Sequence, residues 1–325
     1  MKTVVTGATG HIGANLILAL LERGRQVRAV IHRTKPMIDN PNLEIVMGDI
    51  GDINSLRSAF DGADVVYHLA AAISLSKKDW PLVERVNVVG TRNVIKACLR
   101  SGVRRMVAFS SIHAISDEET VEHIDESCVL NDLSCSHAYD RSKASAEREM
   151  IKGLELGLDT VIISPTGVIG PHDYGPSFMG QGLIMMAESS MPVLVTGGFN
   201  WVDVRDVVAG AIAAEEKAAS GQKYLLSGHW VSMVGITQLV QKIAGSKVSP
   251  FIIPAKLVSA IAPFIGIYYR LMNQPVLFTG MSMDTICGYH NISHNKATRD
   301  LGYNPRPFRH TIADTLAWFK QNGYI

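Results

Sequence analysis

The chain has 325 residues, with 31 Lys and Arg against 30 Asp and Glu, for a formal net charge of +1. That length can bury a large domain and a smaller partner, and the near-zero charge excludes a basic field for nucleic acid or an acidic membrane surface. The four cysteines, Cys98, Cys128, Cys135 and Cys287, form no close pair, so neither a disulfide framework nor a Cys-x-x-Cys metal or redox site is expected.

The chain opens on an apolar strand, Thr3 to Thr6, that runs into Gly7, Gly10 and Gly13. A helix from Ile12 to Arg23 follows. Strand, glycine turn and helix start together make a cradle for a dinucleotide pyrophosphate. Gly7 supplies a turn conformation closed to other residues, Gly10 admits the phosphates, and Gly13 lets the helix pack closely. The helix N-terminus brings free amides and the positive end of its dipole. Further strands are expected at Val27 to Ile31, Leu43 to Met47, Val65 to Leu69, Met106 to Phe109 and Thr160 to Ile163. Helices are expected at Ser55 to Phe60, Leu82 to Arg100 and Tyr139 to Leu156. This alternation predicts a doubly wound parallel α/β sheet of Rossmann type. Residues 1–166 form its dinucleotide-binding part, with 201–228 returning to it through a helix at Val204 to Lys217 and a strand at Lys223 to Leu226. Residues 167–200 and 229–325 are read as a smaller, interleaved substrate region, with helices at Ile236 to Ala244 and Thr311 to Lys320. The apolar stretch from Phe251 to Met272 is broken by Pro254, Lys256 and Pro263, so it reads as a lid or pocket wall and not a membrane span. No cleavable leader is expected ahead of the first strand, and with the scattered cysteines this points to the cytoplasm.

The end of the second strand meets the adenosine ribose in such folds. It reads Val27 to Arg33 with no acid before Asp39. Arg33, with His32 and Lys35 beside it, is therefore expected to pair with a ribose 2′-phosphate, which favours NADP over NAD. Asp49, after the third strand, is placed to meet the adenine amino group or to cap a turn.

Tyr139-Asp-Arg-Ser-Lys143 puts a phenol and an ammonium one helical turn apart. The ammonium is expected to lower the phenol's pKa toward neutrality and to hold the nicotinamide ribose. Ser111, at the end of a strand beside the nicotinamide, can hold a substrate oxygen in line with Tyr139. Asn87 is expected to hold a water or backbone group linked to Lys143. Ile112, His113, His172, Tyr174, Phe178, Met179 and Trp201 are candidate pocket residues, a mainly apolar set suited to an aromatic or aliphatic carbonyl compound. Met185, Met186 and Met191 read as adaptable packing. The eleven histidines show no ligand spacing, so no metal is expected.

These motifs together resemble those of the extended short-chain dehydrogenases/reductases, within the NAD-dependent epimerase/dehydratase superfamily. Thr6-Gly-Ala-Thr-Gly-His-Ile-Gly13 is similar to the family's Thr-Gly-x-x-Gly-x-x-Gly. Asp64-Val-Val-Tyr-His-Leu-Ala-Ala71 and Asn87-Val-Val-Gly-Thr91 resemble its strand-four and central-helix motifs. Ser111, Tyr139 and Lys143 align with its catalytic residues. Pro165 to Pro171, Phe199 to Asp206 and Asn291 to Pro307 resemble its later segments. The overall pattern is dihydroflavonol reductase-like. The resemblance implies cofactor contacts from Gly7, Thr9, Gly10, His11, Ile12, Gly13, His32, Arg33, Asp49, Ile50, Leu69, Ala70, Ala71, Tyr139, Lys143 and Pro165. It implies catalysis by Ser111, Tyr139 and Lys143 with Asn87 in support, and it suggests a homodimer through the two long helices.

The expected activity is NADP(H)-dependent reduction of an aldehyde or ketone. Ile112-His113 replaces the Asp-Glu pair of dehydratases, and Phe199 and Ser164 stand where nucleotide-sugar enzymes commonly carry arginines. A nucleotide-sugar epimerase is the alternative enzyme, and a dinucleotide-bound scaffold or sensor is the alternative without catalysis.

Overall fold

The computed structural model describes residues 1–74, 79–116, 123–135, 137–191, 193–246, 250–254 and 290–325. Its strands are β1 (Lys2–Thr6), β2 (Gln26–Ile31), β3 (Leu43–Met47), β4 (Val65–His68), β5 (Arg105–Phe109), β6 (Thr160–Pro165), β7 (Gly167–Ile169), β8 (Val193–Val195), β9 (Gly198–Asp203), β10 (Lys223–Leu226), β11 (His229–Ser232) and β12 (Phe251–Ile253). Its helices are α1 (His11–Glu22), α2 (Ile53–Ala59), α3 (Trp80–Val83), α4 (Gly90–Arg100), α5 (Ala138–Glu155), α6 (Phe178–Ala187), α7 (Val204–Lys217), α8 (Met233–Ala244), α9 (Asn295–Leu301) and α10 (Phe308–Gln321).

Seven parallel strands form the main sheet in the order β10-β6-β5-β4-β1-β2-β3. The strand order reverses between β1 and β4, which opens a crevice at their carboxyl ends. The inner strands β1, β4, β5 and β6 are buried along almost their whole length because helices cover both faces. On one face α1, α7 and α9 bury Leu16, Ile17, Leu20, Val207, Ala211 and Leu301 against β1, β2 and β6. On the other, α2, α4 and α5 bury Leu56, Val94, Ile95, Cys98, Ala146 and Met150. Each fully buried aliphatic side chain contributes roughly 1.5–3 kcal/mol. The edge strand β3 leaves Ile45 and Met47 exposed.

A second body packs over the carboxyl ends. It contains a β11-β9-β7 sheet and a two-stranded β12-β8 sheet. Its core is rich in methionine and aromatics: Met185, Met186, Met191, Met233, Trp201, Trp318 and Phe319. Residues 167–200, read from sequence as part of the substrate region, hold β7, α6, β8 and the first half of β9. Ser177 caps α6 by accepting from the Gly180 amide at 3.1 Å, and buried Asp173 in turn accepts from the Ser177 amide and hydroxyl, each at 2.8 Å. Such a cap is worth about 1 kcal/mol.

The helix expected from Leu82 to Arg100 also differs. It begins at Trp80 and passes through a π-helical turn, Glu84–Val89, before continuing as α4. Wide turns of this kind recur at functional sites. Here the turn carries Asn87. The stretch from Phe251 to Met272 read as a lid lies, beyond residue 254, outside the described residues, as does Cys287. No helix among the described residues is long and apolar enough to cross a membrane.

Candidate functional site

The glycine turn explains itself sterically. Gly7 has φ +70°, and a Cβ there would lie 2.6 Å from the Ala70 amide nitrogen. A Cβ on Gly13 would lie 2.1 Å from the Gly7 carbonyl oxygen. Gly13 thus serves the turn itself, closer in than the helix–strand contact expected from sequence. Gly10 is different: a Cβ there would meet only the Gly7 oxygen, at 3.4 Å. The space over Gly10 is therefore left for something other than protein. No side chain caps α1 and no acid stands in its first turn, so its N-terminal amides face the crevice unneutralised. A dinucleotide pyrophosphate fits this arrangement.

From the turn a buried polar chain runs to the start of α5. Thr6 Oγ1 meets His68 Nδ1 at 2.8 Å, and His68 Nε2 meets Thr91 Oγ1 at 2.9 Å. Thr91 Oγ1 donates to the Asn87 carbonyl at 2.6 Å, so it accepts from His68, which places the imidazole proton on Nε2. Burial, with the Lys143 charge second, pushes the His68 pKa down to about 3 and keeps the ring neutral. Asn87 clamps the backbone of Ala72, accepting from its amide at 2.7 Å and donating to its carbonyl at 2.9 Å. It also donates to Ser142 Oγ at 2.9 Å, and Ser142 donates to the Tyr139 carbonyl at 2.7 Å. Asn87 reaches α5 through Ser142, therefore, and not through Lys143 as expected.

Ser111, Tyr139 and Lys143 line one cavity of about 530 Å³, which Gly7, Gly10, His11, Ile12, Gly13, Leu69, Ala71 and Pro165 also line. Lys143 is buried, and its Nζ donates to the Phe109 carbonyl at 2.9 Å. Burial lowers its pKa to about 8 against the opposing pull of Glu147. Burial raises Tyr139 to about 12; a hydrogen bond with Ser111 opposes the rise and the Asp140 charge adds to it. The expectation that Lys143 lowers the phenol's pKa is thus corrected for the free protein, where burial outweighs every other influence and the ammonium is turned to Phe109.

Toward substrate, Ile112, His113, Phe178, Met179 and Trp201 line the cavity as expected. His172 and Tyr174 do not. They pack with Trp318, at ring-centroid distances of 5.8 and 5.3 Å, in an aromatic cluster behind the wall. Tyr174 accepts there, through its carbonyl, from the Tyr324 hydroxyl at 2.5 Å. Met186 and Met191 do line the cavity, so their packing role is not their whole role. His113 Nδ1 lies 3.1 Å from Asp140 Oδ1, and its ring meets Tyr139 edge-on at 5.5 Å. Cys135, His137 and Asp140 hold metal-capable atoms within 4.8 Å of one another. Both Asp140 oxygens already face histidines, His137 at 3.4 Å and His113 at 3.1 Å, which accounts for the grouping as a histidine–carboxylate cluster.

Sequence reading missed Asn200. Its Oδ1 accepts from Thr166 Oγ1 at 2.9 Å and from the Gly228 amide at 2.8 Å, and the residue lines the cavity. Only contacts between segments far apart in sequence reveal it. Glu147 was also missed, although its spacing of four from Lys143 was visible.

The remaining expected cofactor residues stand outside this cavity. Thr9, His32, Arg33 and Asp49 are exposed. Ile50 packs against α4, where its carbonyl accepts from Asn93 at 2.9 Å, and the Ala70 amide points at Thr6 Oγ1, 3.4 Å away. His32 Nε2 lies 3.6 Å from Asp49 Oδ2. A carboxylate just beyond β3 thus stands beside the imidazole just beyond β2.

Residues 3–227 match the family described as NAD dependent epimerase/dehydratase. Over its whole length the chain is 34% identical to sterol demethylase protein B of Methylococcus capsulatus, covering 100% of both. A Synechocystis protein with a provisional dihydroflavonol 4-reductase name is 32% identical over 99% of this chain and 95% of its own. The 3-beta-hydroxysteroid dehydrogenase of Mycolicibacterium neoaurum is 28% identical over 94% and 87%. The crystal structure of gox2253 superposes with TM-score 0.86 at 31% identity, covering 100% of this chain and 99% of that one. The UDP-glucose 4-epimerase of Thermotoga maritima, solved with UDP-glucose, gives 0.81 at 19% identity over 99% of each. Bordetella bronchiseptica WbmH gives 0.77 at 21% identity over 99% of each, and its structure holds NAD+. Two further structures of this fold are also solved with NAD. The expectation of NADP is corrected accordingly: three solved structures of this fold hold NAD, and Asp49 faces His32, one of the side chains on which that expectation rested. A parallel Rossmann-type sheet, an uncapped glycine-turn helix and a match over residues 3–227 agree: the chain belongs to the NAD dependent epimerase/dehydratase family.

Proposed function

We propose that this protein is an NAD-dependent oxidoreductase that interconverts an alcohol and a ketone on a bulky, largely apolar substrate. The observation that carries the reading is a mainly apolar cavity in which Ser111, Tyr139 and Lys143 meet the glycine turn. The names of the sterol and steroid relatives support an apolar polycyclic substrate.

Bound NAD supplies the hydride acceptor or donor. The amides at the start of α1 hold its pyrophosphate, and Lys143, fixed by Phe109, holds the nicotinamide ribose. Ser111 hydrogen-bonds the substrate oxygen. Tyr139 gives that oxygen a proton in reduction and takes one in oxidation. A phenol near pKa 12 in the free protein is a ready donor. For oxidation it must first lose its proton, which a positive nicotinamide nearby favours. The aromatic and methionine wall keeps water from the reacting carbon.

The family match and the solved epimerases weigh toward a second reading more than toward simple carbonyl reduction. In it the same residues oxidise and re-reduce one hydroxyl of a nucleotide sugar without releasing the ketone. We rank it second on the cavity's chemistry. Among the described lining residues the sole Lys or Arg is Lys143, which leaves no arginine for a diphosphate. The test is one incubation series with NAD: a 3β-hydroxysteroid with NADH absorbance followed, and UDP-glucose with UDP-galactose followed. NADH formed with the steroid supports the first reading. UDP-galactose formed without NADH overturns it in favour of the second. Silence in both, with NAD bound, overturns the steroid assignment and returns the non-catalytic alternative.

A further inference from the structure

One helical turn beyond Lys143, on the same face of α5, Glu147 is only 2% exposed. Its Oε2 accepts from Ser110 Oγ at 2.5 Å and its Oε1 from Lys223 Nζ at 2.6 Å. Ser110 directly follows Phe109, whose carbonyl holds the Lys143 ammonium at 2.9 Å. Lys223 opens β10, the strand beyond β6. A single buried carboxylate is thus tied to the end of β5 and to a second ammonium, one turn from the lysine of the candidate site.

Burial of an ammonium without an anion strips it of its proton. The other groups around Lys143 provide no such anion. His68 on β4 is neutral. Tyr139 on α5 stays protonated. Asp140 faces His113 and His137, and Glu149 is bonded by Arg92 and Lys152. Glu84 and Arg85, on the π-helical turn, are exposed. Lys223 on β10 is a cation that shares Glu147 itself.

We propose that the Ser110–Glu147–Lys223 chain sets the charge of Lys143: Glu147 keeps it an ammonium near neutral pH, and Lys223 weakens that hold by sharing the carboxylate. Glu147 and Lys223 are positioning residues that touch neither cofactor nor substrate. Burial pushes the Lys143 pKa down to about 8, and Glu147 opposes that push. The benefit to catalysis rests on the role given to Lys143 above; the charge itself does not, and it can be read without cofactor or turnover.

The experiment is an NMR titration of the full chain carrying isotope-labelled lysine, with the Lys143 signal assigned by its loss in Lys143→Arg. The expected Glu147→Gln result is a Lys143 midpoint lowered by about one pH unit or more. The expected Lys223→Gln result is the opposite, a raised midpoint. A role in holding shape alone would not move the two variants in opposite directions. Unmoved midpoints in the folded variants, or movement in the same direction, overturn the proposal. If Glu147→Gln fails to fold, Lys223→Gln decides: a raised midpoint supports the device, and an unchanged or lowered one overturns it.

Discussion

On the sheet side of the cavity, polar groups are bonded end to end from Thr6 through His68, Thr91, Asn87 and Ser142 to the Tyr139 carbonyl. On the facing side, Phe178, Met179, Leu183, Met186, Met191 and Met233 present apolar surface of adjustable shape. The two sides tolerate change differently. A buried hydrogen-bonded chain has one satisfied arrangement, and loss of a member leaves its partner unpaired at roughly 1–3 kcal/mol. A methionine wall can refill space with small rotamer changes. The contrast suits the proposed pairing of one cofactor with a bulky apolar substrate.

The sharpest way to break this comparison is Tyr139→Phe. Turnover of the established substrate should fall by roughly 10²–10⁴-fold, with NAD affinity nearly unchanged. Steady-state kinetics and a fluorescence titration with NAD would check it; equal loss of both would show that the sheet side does not divide binding from chemistry. Gly13→Val comes next. Its Cβ would fall 2.1 Å from the Gly7 oxygen, so stability should drop by roughly 1–3 kcal/mol and NAD binding with it. Calorimetry and denaturant unfolding would read both, and normal NAD affinity would refute the steric account of the turn. The pH profile follows in size. Burial holds the Tyr139 phenol above its ordinary value, so it is protonated at neutral pH. Alcohol oxidation should therefore speed up as pH rises, by at most about tenfold per unit, until the phenol has titrated in the complex; reduction should not gain. An oxidation rate flat from neutral to alkaline pH would remove Tyr139 as the base. The smallest effect belongs to the facing wall. Met186→Leu should cost less than about 1.5 kcal/mol and change the substrate KM a few-fold while leaving NAD affinity alone. A larger effect on NAD than on substrate would erase the distinction between the sides.

Much of the sheet side was legible because its determinants are local. A glycine turn, alternating strands and helices, and Tyr and Lys four apart each need only a few consecutive residues to declare themselves. Strand boundaries such as Leu43–Met47 and Lys223–Leu226 were read as they stand. The facing side was less legible. The region from Gly167 to Asn200 lacks the long periodic runs that betray an element, and its strands are stabilised by partners distant in sequence. His172 and Tyr174 lie close to the pocket-wall residues in sequence, but Trp318, near the end of the chain, draws them into another cluster.

Sequence by itself determined the parallel sheet and the glycine turn and singled out Ser111, Tyr139 and Lys143, which the fold brings to one cavity, because backbone geometry and short-range spacing are written in adjacent residues. Tertiary structure decided the rest: which face of the wall meets the cavity, that Asp49 beyond one strand stands against His32 beyond another, and how deeply Lys143 is buried. Burial and electrostatics depend on what the folded chain brings together from afar, and no stretch of consecutive residues contains that information.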